Sequence, residues 1–181
     1  MQILKHMADW WPLVYGLIVP PPVQTTYTQY INAGQNGMPA TMTGWDVDTR
    51  TFEDISGGQT GLGFGLAVCQ GANDNGCRLG LVSGRNFVGI SRADHTLANV
   101  QQSANVAVDK YANGENVPVH VRGDMWVVVE NNVTADSTVL VDAVTGQLGK
   151  TGGTLLQNAR WMTTATAGGL AVVRLGFVAG L

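Results

Sequence analysis

A mainly β fold, a small antiparallel barrel or sandwich, follows from two features of the chain. From Gly61 onward the apolar residues fall into eight short runs: LGFGLAVC, RLGLVS, NFVGIS, VPVHV, DMWVVVE, TVLVDA, WMTTA and LAVVRL. Each has the length of a strand and not of a helix. Turn formers separate most of them, at Ser83 to Asn86, Val121 to Asp124, Val144 to Gly149 and Thr166 to Gly169, as expected of an all-β sandwich or barrel. The length of 181 residues fits one compact domain carrying an arm, with enough chain to bury a core.

Three regions are expected along the chain. Residues 1–24 form an apolar, Pro-terminated extension, in which WWPLVYGLIVPPP runs from Trp10 to Pro22. Its apolar run is about half of what crosses a bilayer, and Lys5 and His6 make a poor positive region for a signal peptide. An arm docked on a neighbouring subunit, a disordered tail and an upstream extension of the reading frame stay open as readings. Residues 25–60 lack regular periodicity and read as an extended arm and interface segment, with Tyr27 and Tyr30 alternating in a short polar stretch. Residues 61–181 form the antiparallel β-domain. The connection between Arg92 and Tyr111, ADHTLANVQQSANVAVDK, has room for at most one short helix, capped by Asp94. Cys69 and Cys77 flank the turn-rich QGANDNG and belong on facing strands of one hairpin, where a cross-strand disulfide is open as a reading beside the two thiols that a reducing cytoplasm would keep.

Composition narrows the function. Charged residues make up 13% of the chain, about half the roughly 25% of ordinary domains, while the 24 glycines are nearly twice the usual roughly 7%. Such a surface suits packing against other protein. A formal charge of −3, with no clustered Lys and Arg, gives no footprint for nucleic acid or an anionic membrane.

Motifs that invite a chemical reading do not complete one. GQLGKT, Gly146 to Thr151, resembles the end of a phosphate-binding loop, but Val144 stands where its first Gly belongs and no helix follows. The alternating Gly61, Gly63 and Gly65 read as a strand with one bare face. His6, His95 and His120 lack metal-ligand spacing, and two cysteines without a His pair are too few for zinc. His120 reads as an outward strand residue. Ser83 sits in a turn and not in a nucleophile elbow. Asp46 and Asp48 share a side of an extended segment without a visible pocket. Arg122-Gly123-Asp124 reads as a hairpin turn, and the sequon at Asn132 is silent without a secretory pathway. No catalytic residue, cofactor or metal is expected.

Two segments carry a family likeness. GMPATMTGWDVDTRTFED, from Gly37 to Asp54, and ARWMTTATAGGLAVVRLG, from Ala159 to Gly176, bracket a strand-like middle that includes DKYANGENVPVHVRGDMWVVV, from Asp109 to Val129. Together they resemble the structural cement, or capsid decoration, proteins of tailed bacteriophages, over about Thr25 to the C-terminus. The resemblance implies a homotrimer on the outer surface of the virion head, assembled in the bacterial cytoplasm, which binds the major capsid protein and ties neighbouring capsomers together. It makes Trp45 an expected anchor, and the arm residues Met38, Trp45, Val47, Arg50 and Phe52 are the expected capsid or subunit contact set. For Trp45 a place in the chain's own core remains open, since aromatic anchors are enriched in both settings. The alternative is a host-surface-binding adhesin or fibre-like module, for which exposed β-loops and low charge serve equally. A β-barrel hydrolase would need an acid pair or a nucleophile that the sequence does not display.

Overall fold

The computed structural model describes residues 34–41, 44–54, 61–94, 96 and 108–176. Among them are eleven strands and no helix: β1 (Asp46–Phe52), β2 (Leu62–Gly63), β3 (Ala67–Gln70), β4 (Gly76–Leu79), β5 (Phe87–Ser91), β6 (Lys110–Tyr111), β7 (Asn116–Val128), β8 (Thr138–Val141), β9 (Leu148–Gly149), β10 (Thr154–Trp161) and β11 (Leu170–Leu175). The expected mainly β architecture is present. The segments Trp10 to Pro22 and Tyr27 to Tyr30 lie outside the described residues, as does the expected short helix. Asp94 itself accepts bonds from the Thr96 amide and hydroxyl, each 2.8 Å, in an Asx turn.

β7 organises the molecule. Its first half pairs with β1 and β5, through Asp48↔Val119 and Ile90↔His120, and its second half pairs with β11, through Val172↔Trp126. The strand order β1-β4-β3-β5-β7 closes on itself through the β1–β7 pairing, giving a five-stranded barrel. Closure removes the open edges that would otherwise template aggregation. Its pairings are antiparallel except β1–β4, which is parallel at Thr51↔Gly76 and Phe52↔Cys77. The sheet continues in the order β7-β11-β10-β8-β9, and a parallel bridge Val129↔Leu148 brings β9 back beside the end of β7.

Two cores result. Phe52, Leu62, Val68, Cys77, Tyr111, Val117 and Val119 form one within the barrel half. The other gathers Met125, Val127 and Val129 with Val139, Val141, Leu148, Leu156, Trp161 and Val173. The polar tips of the two large aromatics are satisfied: the Tyr111 hydroxyl donates to the Arg92 carbonyl at 2.6 Å, and the Trp161 indole donates to the Gly149 carbonyl at 3.2 Å.

Several local expectations need correction. Val121 to Asp124 is no turn: β7 runs through it, because Gly123 at φ 106° bends the strand without ending it. GLGFG is not one strand either. Only Leu62–Gly63 pairs, and a turn at Phe64 and Gly65 separates it from β3. WMTTA marks the end of a strand whose body is the more polar TLLQNARW. Cys69 and Cys77 do lie on facing strands of the β3–β4 hairpin. Their registers, Cys69↔Arg78 and Gln70↔Cys77, put them on opposite faces of it, and both are free and buried.

Candidate functional site

The chain reaches β1 by way of a strap along β7. The Gly37 amide donates to the Trp126 carbonyl, the Trp126 amide to Met38, and the Ala40 amide to Asp124, each at 2.8 Å. Asn36 clips the strap at both ends of its side chain, accepting from the Val128 amide at 2.9 Å and donating to the Phe64 carbonyl at 2.6 Å. Met38 is thereby held half-buried beside the second half of β7.

Trp45 follows at the start of β1. Its half-buried ring stacks on His120, centroids 6.4 Å apart and planes 25° apart, and the Arg92 guanidinium lies over it with Cζ 4.7 Å from the centroid. Arg92 is itself fixed at the end of β5, its amide bonded to the Pro118 carbonyl at 2.8 Å. The ring is therefore backed by its own chain while part of it stays open.

His120, expected to face outward, is fully buried. Trp45 stacks on it, Ile90 and Val47 sit opposite it in the sheet, and among the described residues neither ring nitrogen has a partner in good hydrogen-bond geometry, the Gly123 backbone lying within weaker reach. Burial, reinforced by Arg92, pushes its pKa below 6.5, against the opposing pull of the Gly123 backbone, Asp124 and Asp46.

The other expected contact residues are spread along β1. Val47 is half-buried. Arg50 donates to Asp48 at 2.7 Å, to Gln70 at 3.1 Å and to the Asp74 carbonyl at 2.9 Å, so the Asp48 carboxylate serves an ion pair. Phe52 is 3% exposed inside the barrel-half core and offers little surface to a neighbour. Along β1 the alternation puts Trp45 and Val47 toward one face of the strand and Arg50 with Phe52 toward the other, so the expected contact residues do not form one continuous face.

Two charged devices were not legible in the sequence. Asp124, at 8% side-chain exposure, accepts a two-pronged bond from Arg174 across the β7–β11 pair, at 2.6 Å from Nε and 2.7 Å from Nη2. The hydrogen bond to Asp124 raises the Arg174 pKa further. Beside this pair Thr41, Gly44, Arg122, Gly123, Leu175 and Gly176 line a cleft of about 280 Å³. Glu53, just past β1, accepts from the Ala72 amide, from the Asn73 amide at 3.0 Å and from the Asn73 side chain at 2.8 Å, with Arg78 3.5 Å away. Burial alone would raise its pKa, but the Ala72 and Asn73 bonds and Arg78 together lower it. A Cβ at Gly76 would fall 1.9 Å from Glu53 Oε1, so that glycine makes room for the clamp.

None of these groups assembles into a reaction centre. Ser91 is buried, its hydroxyl donating to the Gly63 carbonyl at 2.7 Å and accepting from the Leu66 amide at 3.0 Å. Lys150 lies in the bend just past β9, its amide held by Asn131 Oδ1 at 2.7 Å, and no helix follows it among the described residues. Among the described residues no three His, Cys, Asp or Glu side chains are grouped to hold a metal.

The fold is an all-strand scaffold, and the comparisons give the class: a structural protein of the phage virion. Residues 23–176 match the family described as structural cement protein (E217 gp24/Pam3 gp6), and the chain belongs to that family. Among solved structures, a chain of the capsid of Myoviridae phage XM1 superposes with a TM-score of 0.56 at 14% identity, over 83% of this chain and 94% of that one. The head fibre gp8.5 N base of bacteriophage phi29 reaches 0.39 at 13% identity, over 73% and 94%. No curated protein sequence matches.

Proposed function

We propose that this protein binds the outer surface of the phage head and cements neighbouring capsomers, by binding alone and without catalysis. Membership of the cement family over residues 23–176 supports the reading, and the observation that carries it at the residue level is Trp45. A half-open indole in contact with both Arg92 and His120 is held in place before it meets a partner, and large anchors so held lose little freedom on binding. Met38, Val47 and Arg50 supply further contacts, and the strap through residues 34–40 belongs with the arm and interface segment, 25–60.

The mechanism is mass action. A ligand selective for the expanded shell stabilises that state over any it does not bind. When one particle of cement bridges two capsomers, its second contact becomes intramolecular, so contacts of modest strength sum to firm attachment. The working unit is a homotrimer at three-fold or quasi-three-fold positions, assembled with the major capsid protein in the host cytoplasm. Closed cyclic symmetry suits a weakly charged surface that packs against copies of itself.

Purified heads carrying Trp45→Ala test the reading. Reduced retention of the variant, with unchanged secondary structure, is expected. Wild-type occupancy would overturn the assignment of Trp45 as anchor.

A further inference from the structure

We propose that the cleft between Gly44, Arg122 and Gly176 is a socket for a carboxylate side chain, aspartate or glutamate, presented by the neighbouring shell protein. The inference rests on the capsid-binding reading and names the chemistry of one contact within it. The walls come first. Gly44, Gly123 and Gly176 all have positive φ, at 74°, 106° and 69°, and place bare backbone around a space of about 280 Å³. A Cβ at Gly176 would crowd Arg122, 2.9 Å from its Cγ; one at Gly44 would meet nothing within 4 Å, and one at Gly123 would run into Trp45 Cβ at 2.7 Å.

Charge supplies the second part. Two guanidinium groups, Arg122 and Arg174, line the cleft with a single carboxylate, Asp124. Both Asp124 oxygens are engaged by Arg174 Nε and Nη2, and the Arg174 side chain keeps 36% of its surface exposed. Arg122 is exposed and has no hydrogen-bond or ion-pair partner among the described residues; Asp46 stands opposite it in the sheet register but forms no ion pair with it. The cleft therefore holds one cation in excess, on a planar fork whose geometry matches a carboxylate. Arginine is among the residue types enriched where a protein interface gains most of its binding energy.

Retention on purified heads should be compared for the full-length wild type, Arg122→Glu, Arg122→Gln and Trp45→Ala, over a series of salt concentrations, with urea midpoints of the free proteins as the folding control. Arg122→Glu should lower retention about tenfold or more, as truncating or reversing one partner of an interfacial charge pair does. Arg122→Gln should lose retention too, and should show a shallower dependence on salt than wild type. If the Glu variant has a lowered urea midpoint, the Gln variant and its salt slope carry the comparison. Both Arg122 variants retained like wild type, with Trp45→Ala lost, would overturn the socket and leave the capsid-binding reading standing. Retention of all three variants would overturn both.

Discussion

The Arg92 guanidinium lies 4.7 Å over the Trp45 ring, and His120 stacks against the same indole with centroids 6.4 Å apart, so three residues distant in sequence meet at the start of β1. Removing the indole exposes His120 and frees Arg92. Trp45→Ala should cost about 1–2 kcal/mol of stability, part of the value of burying a large side chain. Arg92→Ala should cost less, and a double-mutant cycle should return a coupling of about 0.5–1 kcal/mol for the cation–π contact. Strict additivity in urea denaturation would show that the two groups do not interact.

His120 gives the fold a pH dependence. Its pKa is lowered in the folded protein, so the unfolded chain takes up the proton first as pH falls below 6.5. The contribution to stability is thus present above that value and is lost as pH falls toward the depressed folded pKa. Replacement by phenylalanine keeps a ring against Trp45 and removes the titration. His120→Phe should flatten the loss of thermal stability between pH 7.5 and 5.5, a window of about one unit either side of the ordinary His value. An unchanged slope would place the dependence elsewhere.

Glu53 acts lower on the scale. Its pKa is depressed below 4.5, so the stability it contributes is present above that value and disappears as pH falls through the folded pKa. Glu53→Gln should cost about 1.5–3 kcal/mol at neutral pH, the range for hydrogen bonds to a charged group. The difference from wild type should shrink in urea titrations at strongly acid pH. A pH-independent difference would mean that shape and not charge holds the loop at Ala72 and Asn73.

The two glycines Gly123 and Gly84 separate crowding from backbone strain. Both have positive φ, but a Cβ at Gly84 meets nothing within 4 Å, whereas one at Gly123 runs into Trp45 and the Gly44 carbonyl. Alanine at Gly84 should cost about 1 kcal/mol for the left-handed conformation alone. Alanine at Gly123 should cost more and should also disturb the Trp45 fluorescence. Equal effects would remove crowding from the account.

Both cysteines should remain thiols. They point to opposite faces of the β3–β4 hairpin, and burial, helped by Glu53 and Cys69 against Arg50, raises the Cys77 pKa to about 12. A thiol reagent at neutral pH should label both only after denaturation. A disulfide-linked peptide from a non-reducing digest would contradict the register.

How much of this the sequence displays depends on how local each cause is. Short apolar runs such as NFVGIS and LAVVRL announce β5 and β11, because their inward residues recur along a few adjacent positions. β1 is harder to read, since Asp46, Thr49 and Arg50 face solvent or ion pairs, and its place in the barrel comes from β4 and β7, far away in sequence. The Arg122-Gly123-Asp124 stretch reads as a turn because Gly and Asp favour turns, yet long-range pairing with β11 and the strap keeps it a strand. His120 could not be read as buried, for its cover is Trp45, brought over from another strand. The likeness of Gly37 to Asp54 and of Ala159 to Gly176 to cement proteins pointed to the family, where no pattern in those residues names a partner.

The most direct test of the central claim is a mass-spectrometric count of this protein on purified heads, relative to the major capsid protein. Cement at the three-fold positions predicts copies comparable in number to the major capsid protein, lost as heads are weakened. Only a few copies per particle would contradict it.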